Sequence, residues 1–189
     1  MVKNNIIYCF ISIFSLLLSN HLKASDIDLS SHLIYNVPVK RSSDEPGKAI
    51  GARIQTSYNF QNNLAIYSNI TFLYGFSKDL FGLKTQTNIY YWGLGGKVFL
   101  SKPQNKILKS FYFDAEIIID WITSKASGLD SVDNKTVDHF VYGASFGFGY
   151  QYDKLDFSIK PYLYDLTINQ PLNYSGLALS VGYHLEGIL

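Results

Sequence analysis

Alternation with a period of two residues constrains this chain more than any other feature. Near its C-terminal end, Leu177, Leu179, Val181, Tyr183 and Leu185 interleave with Gly176, Ala178, Ser180, Gly182 and His184. Successive side chains of a strand point to opposite faces, so this segment is a strand with one apolar face and one small or polar face. The pattern recurs upstream. Ile50, Ala52, Ile54, Thr56, Tyr58 and Phe60 alternate with Gly51, Arg53, Gln55, Ser57 and Asn59. Phe113, Ala115, Ile117, Ile119 and Trp121 alternate with Asp114, Glu116, Ile118 and Asp120. Phe140, Tyr142, Ala144, Phe146, Phe148 and Tyr150 alternate with Val141, Gly143, Ser145, Gly147 and Gly149. Eight such segments are expected, over residues 26–39, 49–60, 64–76, 87–100, 111–122, 139–151, 155–166 and 175–185. Each is as long as a tilted membrane strand needs to be, or slightly longer.

The sorting of charge decides what such strands can build. Within the strand cores, Arg53, Lys97, Asp114, Glu116, Asp120, Asp156 and Lys160 all fall on the small or polar face. A soluble barrel puts its apolar side chains inside, but here the polar face is too small and too charged for an ordinary core. The apolar face is also too extensive to meet water. The consistent architecture is all-β and inside-out: an eight-stranded antiparallel up-and-down transmembrane β-barrel, apolar outside. A charge facing lipid at mid-membrane costs about 2–4 kcal/mol, which gives the sorting its physical reason.

The connections fit the same architecture. Gln61-Asn62-Asn63 and Tyr152-Asp153-Lys154 read as tight turns and residues 101–110 as a longer connection on the same side, whereas residues 40–48, 77–86, 123–138 and 167–174 read as longer loops on the opposite side. Short periplasmic turns and long extracellular loops are the habit of outer-membrane barrels. Aromatic residues cluster towards both strand ends. Tyr90, Trp92, Trp121 and Tyr142 lie towards the loops, and Tyr58, Phe60, Tyr150 and Tyr183 towards the turns, as two interfacial belts require.

Residues 1–24 read as a secretory signal peptide, with Lys3 followed by an apolar run from Ile6 to Leu18 and a small residue, Ala24, for cleavage. The run is shorter than the roughly 20 residues of a membrane helix. Residues 25–189 then form one barrel domain. The single cysteine, Cys9, lies in the leader, so the remaining chain offers no disulfide and no thiolate metal ligand. A formal net charge of +1 argues against a nucleic-acid partner.

With Val181-Gly-Tyr-His-Leu185 and Phe146-Gly-Phe-Gly-Tyr150 in place, the chain resembles the small eight-stranded outer-membrane barrels. These include the transmembrane domain of outer-membrane protein A, the X-type barrel, and the porin-family opacity- and attachment-type surface proteins. The resemblance covers nearly all of the chain after the leader. It implies the outer membrane of a Gram-negative cell, contact with outer-membrane lipids and lipopolysaccharide, and a surface-antigen or adhesion role towards host molecules through the loops. It also implies a monomer. Where the family closes on an aromatic residue, this chain has Leu185 followed by Glu186-Gly-Ile-Leu189, and no peptidoglycan-binding domain is expected after it.

Three groups of residues are candidates for chemistry. The inward charges Arg53, Lys97, Asp114, Glu116, Asp120, Asp156 and Lys160 form a lumen network, read first as a salt-bridged plug and second as a small-ion path. Eight strands leave an interior just wide enough for side chains to fill, and inward Tyr67, Tyr91, Phe99, Tyr162 and Tyr164 fill it further, so no wide pore is expected. Pairing of the first and last strands brings Asp28, Ser30 and His32 towards His184, the ingredients of a hydrolytic triad. Hydrogen bonding inside the barrel is the preferred reading of them, so no catalytic residue is assigned. Asp130, Asp133 and Asp138 in the longest loop match no calcium-loop spacing. No metal or other cofactor is expected. The expected function is that of a non-enzymatic surface protein that stabilises the membrane or mediates attachment. A narrow porin-like channel is the alternative, and a lipid-modifying hydrolase comes third.

Overall fold

A computed structural model describes residues 27–38, 48–61, 63–76, 78–80, 83–100, 110–127, 135–164 and 174–185. Residues 1–26, which include the expected signal peptide, and residues 186–189 lie outside the described residues. The strands are β1 (Ile27–Pro38), β2 (Ala49–Gln61), β3 (Leu64–Gly75), β4 (Lys78–Leu80), β5 (Leu83–Phe99), β6 (Ser110–Ser127), β7 (Lys135–Tyr152), β8 (Leu155–Tyr164) and β9 (Tyr174–Leu185). Every pairing is antiparallel. The order β3-β2-β1-β9-β8-β7-β6-β5 closes through a β3–β5 ladder into an eight-stranded up-and-down barrel, while three-residue β4 pairs with β5 alone. The first and last strands meet in register, with Leu29 opposite Leu185 and Ser30 opposite His184. Closure leaves no open edge in the wall.

The two ends of the barrel differ. At the turn end, Asp153 takes a left-handed conformation (φ 52°) between β7 and β8. Asp accepts that region more readily than most residues, because its short side chain can hydrogen-bond locally. The backbone N–H of His184 donates to the carbonyl of Lys154 at 2.8 Å, fastening the last strand to this turn. At the loop end, β5, β6 and β7 run further than the alternation indicated. Segments expected as loops, 83–86, 123–127 and 135–138, are strand, paired as Lys84 with Ser127, Gln86 with Lys125 and Lys125 with Thr136. Their polarity hid them. Above an apolar band both faces of a strand meet polar surroundings, so the ladder continues after the hydrophobic contrast has ended.

Within the wall, alternation sets direction. Leu33, Ile54, Ile70 and Ile117 point outward and are each more than 60% exposed, whereas Ser30, Arg53, Asn69 and Glu116 point inward and are almost wholly buried. Rows of aromatic residues bound the apolar band. Tyr90, Trp121 and Phe140 are register partners at one level, and Phe111, Tyr150 and Phe157 at the other. Phe111 and Trp121 are ten residues apart on β6. At about 3.3 Å per residue and a tilt near 40°, that separation spans about 25 Å, the height of a barrel's lipid-facing band. Among the described residues, no charged side chain points outward between the rows. Of the other belt residues, Trp92, Tyr142 and Tyr183 are exposed, Tyr58 is half-buried, and the Phe60 side chain lies outside the described residues. The Trp92 indole N–H donates to Ser68 Oγ at 2.9 Å, satisfying a donor that lipid would leave unpaired.

Candidate functional site

The lumen holds the chain's polar chemistry, and small residues make the room for it. A Cβ at Gly149 would collide with the Tyr112 ring, and one at Gly93 with the Glu116 carboxylate. The small face of the closing strand makes room for the first strand. Gly182 makes way for His32 and Gly176 for Asn36, both on β1, while room for the acid Glu116 on β6 comes from Gly93 on β5.

Nearest the turn end, Asp156 is a hub. One carboxylate oxygen accepts from Lys97 Nζ at 2.9 Å, and the other from the Tyr112 hydroxyl at 2.6 Å. His184 Nε2 lies 3.4 Å from Asp156, and its Nδ1 is hydrogen-bonded to the Asp28 carboxylate. Four strands, β5, β6, β8 and β9, thus meet at one carboxylate, which is 0% exposed, and β1 joins them through Asp28 on His184. Lys97 also sits 4.5 Å from the Tyr112 ring centroid, within cation–π range.

A second cluster lies one layer further in. Lys160 Nζ is 2.5 Å from Asp114 and 3.8 Å from Glu116. Tyr67 donates to Asp114 at 2.5 Å, and its ring lies 5.3 Å from Lys160 and 5.9 Å from Lys97, joining the two clusters. Glu116 accepts from Asn69 at 2.6 Å and Ser145 at 3.1 Å, and stands 3.7 Å from Arg53. Arg53 in turn donates to Thr71 at 3.1 Å and to the Tyr91 and Tyr162 hydroxyls, which are 3.0 Å from each other. The structure therefore brings Arg53, Lys97, Asp114, Glu116, Asp156 and Lys160 together, each buried and each partnered.

Asp120 stands apart. It shares the inward face of β6 with Asp114 and Glu116 and is 0% exposed, yet neither carboxylate oxygen has a hydrogen-bond partner among the described residues. Its strand neighbours on that face are Ile118 and Ile122, and its register partners are Tyr91 and Val141. These belong to an apolar cluster with Ile34, Ala49, Leu73 and Ile89 that fills the lumen towards the loop end. Sequence reasoning missed this collar and also Tyr112, Asn69 and Thr71. The signal was present as parity: with Asp114 and Glu116 inward, Tyr112 and Ile122 must be inward too.

The hydrolytic candidates do not assemble into a relay. Ser30 Oγ bonds His32 Nε2 at 3.0 Å, whereas Asp28 and Asp156 both bond His184, whose ring is 6.5 Å from that of His32. The hydroxyl and the acids therefore serve different imidazoles. Among the described residues, no group of three or more His, Cys, Asp or Glu side chains is placed to hold a metal ion. Asp138 is exposed on β7, while Asp130 and Asp133 lie outside the described residues, as does the side chain of Tyr164.

No protein-family model matches the chain, and no curated protein matches its sequence. Solved structures do match its fold. The attachment invasion locus protein Ail of Yersinia pestis superposes with a TM-score of 0.56 at 11% identity, over 84% of this chain and 97% of Ail. Neisserial surface protein A gives 0.55 at 16% identity, over 85% and 96%. The N-terminal β-barrel domain of Pseudomonas aeruginosa OprF gives 0.51 at 13% identity, over 84% and 97%. With its closed antiparallel wall and its polar lumen, the chain has the architecture of the small eight-stranded outer-membrane barrels.

Proposed function

We propose that the chain is an integral protein of a Gram-negative outer membrane, secreted by its leader and monomeric. Its role would be non-enzymatic: to stabilise the membrane or to attach the cell through the segments at the loop end. One observation carries this reading. An uncharged outer band about 25 Å tall, bounded by aromatic rows, encloses a lumen in which charged side chains are buried and paired. Water would not tolerate that outside, nor an apolar core that inside.

In this orientation the turn end is periplasmic and the loop end faces outward. Lipid and lipopolysaccharide are the partners of the band, and host surface molecules those of the loops. Ail, a neighbour in fold, has been crystallised with the heparin analogue sucrose octasulfate, which makes sulfated polysaccharides a reasonable first ligand class to assay. The split arrangement of Ser30, His32 and His184 supports a non-enzymatic role, and the filled lumen supports the absence of a wide pore.

Heat-modifiable migration of the protein from outer-membrane fractions tests location and closure together. A band that runs at the same position boiled and unboiled counts against a closed barrel. Loop-deleted protein that keeps its heat shift but loses binding to host cells supports attachment, and unchanged binding rejects it.

A further inference from the structure

Asp120 plays no part in the paired network. It lies in the collar of Ile34, Leu73, Ile89, Ile118, Ile122 and Val141, the apolar stretch of a lumen that is otherwise polar. Below the collar are the Arg53–Tyr91–Tyr162 cluster and the ion pairs, and beyond it Thr87 and Ser124 share a hydrogen bond at 3.1 Å. A carboxylate with no donor, enclosed by apolar side chains, needs either a proton or a cation. Narrow apolar constrictions exclude water until a charge draws it in, and acidic groups in a pore favour cations.

We propose that the collar is a gate worked by Asp120: dry and shut while the carboxyl holds its proton, and passing small monovalent cations once it is ionised. On opening, the proton leaves to water and an entering cation balances the carboxylate. The inference rests on the membrane-spanning reading above and deepens its narrow-channel alternative. The titratable groups facing Asp120 are Glu116 on β6 itself and Tyr91, the register partner of Asp120 on β5; Tyr91 is hydrogen-bonded in turn to Arg53 on β2 and Tyr162 on β8. β7 presents Val141 and Gly143, with His139 in register with Ile122.

The test is single-channel recording of the full chain in planar bilayers, in potassium chloride, across a pH series. Small cation-selective conductance should rise about tenfold per pH unit below its midpoint, following the ionised fraction of one group. Asp120→Asn should stay shut at every pH. Ile122→Ser, which wets the collar without titrating, should conduct even in acid. A pH series without response in the parent protein overturns the proposal, as does a titration that persists in Asp120→Asn and so belongs to another group. Gel migration of the same preparations separates the two levels of failure. A heat-shifted barrel without the pH response rejects the gate alone, and a protein without the heat shift rejects the membrane reading as well.

Discussion

The two halves of the lumen solve one packing problem in opposite ways. Towards the turns, Arg53, Lys97 and Lys160 neutralise Asp114, Glu116 and Asp156, with Tyr67, Tyr112, Asn69 and Ser145 supplying further donors. Towards the loops, isoleucine, leucine and valine fill the same cross-section and leave the carboxylate of Asp120 without a partner among the described residues. A buried ion pair gains little over an apolar pair of equal volume, but half an ion pair is costly. The charged half should therefore be intolerant of single changes, whereas the apolar half should follow ordinary core energetics.

The largest effect is expected at the hub. Asp156→Ala strands Lys97 and Tyr112 and leaves His184 with Asp28 alone, and should lower stability by about 3–5 kcal/mol, read from urea unfolding in detergent by loss of the heat-shifted band. Replacing both partners, Lys97→Met with Asp156→Leu, should restore most of that loss. If the double variant is no better than the single, the two halves do not differ as described. In the collar, Ile122→Ala should cost about 3 kcal/mol by loss of burial and a residual cavity, whatever the charge state of the lumen. Tyr112→Phe removes one hydrogen bond to a charged acceptor and should cost about 2 kcal/mol; a neutral result would mean that Lys97 and His184 satisfy Asp156 without it. The smallest change has the opposite sign. Asp120→Leu replaces an unpartnered polar group with a side chain suited to the collar and should stabilise by about 1 kcal/mol in the same assay. Destabilisation there would show that Asp120 has a partner.

Much of this contrast was legible in advance. Parity alone separated the inward Arg53, Asp114, Glu116 and Lys160 from the outward Ile54, Phe113, Ile117 and Ile159, because a strand leaves each side chain only two directions. The extra lengths of β5, β6 and β7 were not legible. Lys84, Gln86 and Lys125 carry no apolar rhythm, and their strand state comes from cross-strand pairing, which no single segment encodes. Asp120 was grouped with Asp114 and Glu116 because all three share one face of one strand. Height along the barrel separates them, and height follows from the tilt and stagger of all eight strands.

The sequence by itself determined an inside-out barrel, the face on which each charge lies and the approximate positions of the turns. Those properties follow from a two-residue period and from the cost of exposing charge to lipid. Only the tertiary structure decided which charges meet. That choice depends on the register around the closed wall, which joins Asp28 of the first strand to His184 of the last and carries Lys97 of β5 across to Asp156 of β8. It also divided one alternating inner face into a charged half and an apolar half, and it placed a single acid on the wrong side of that division.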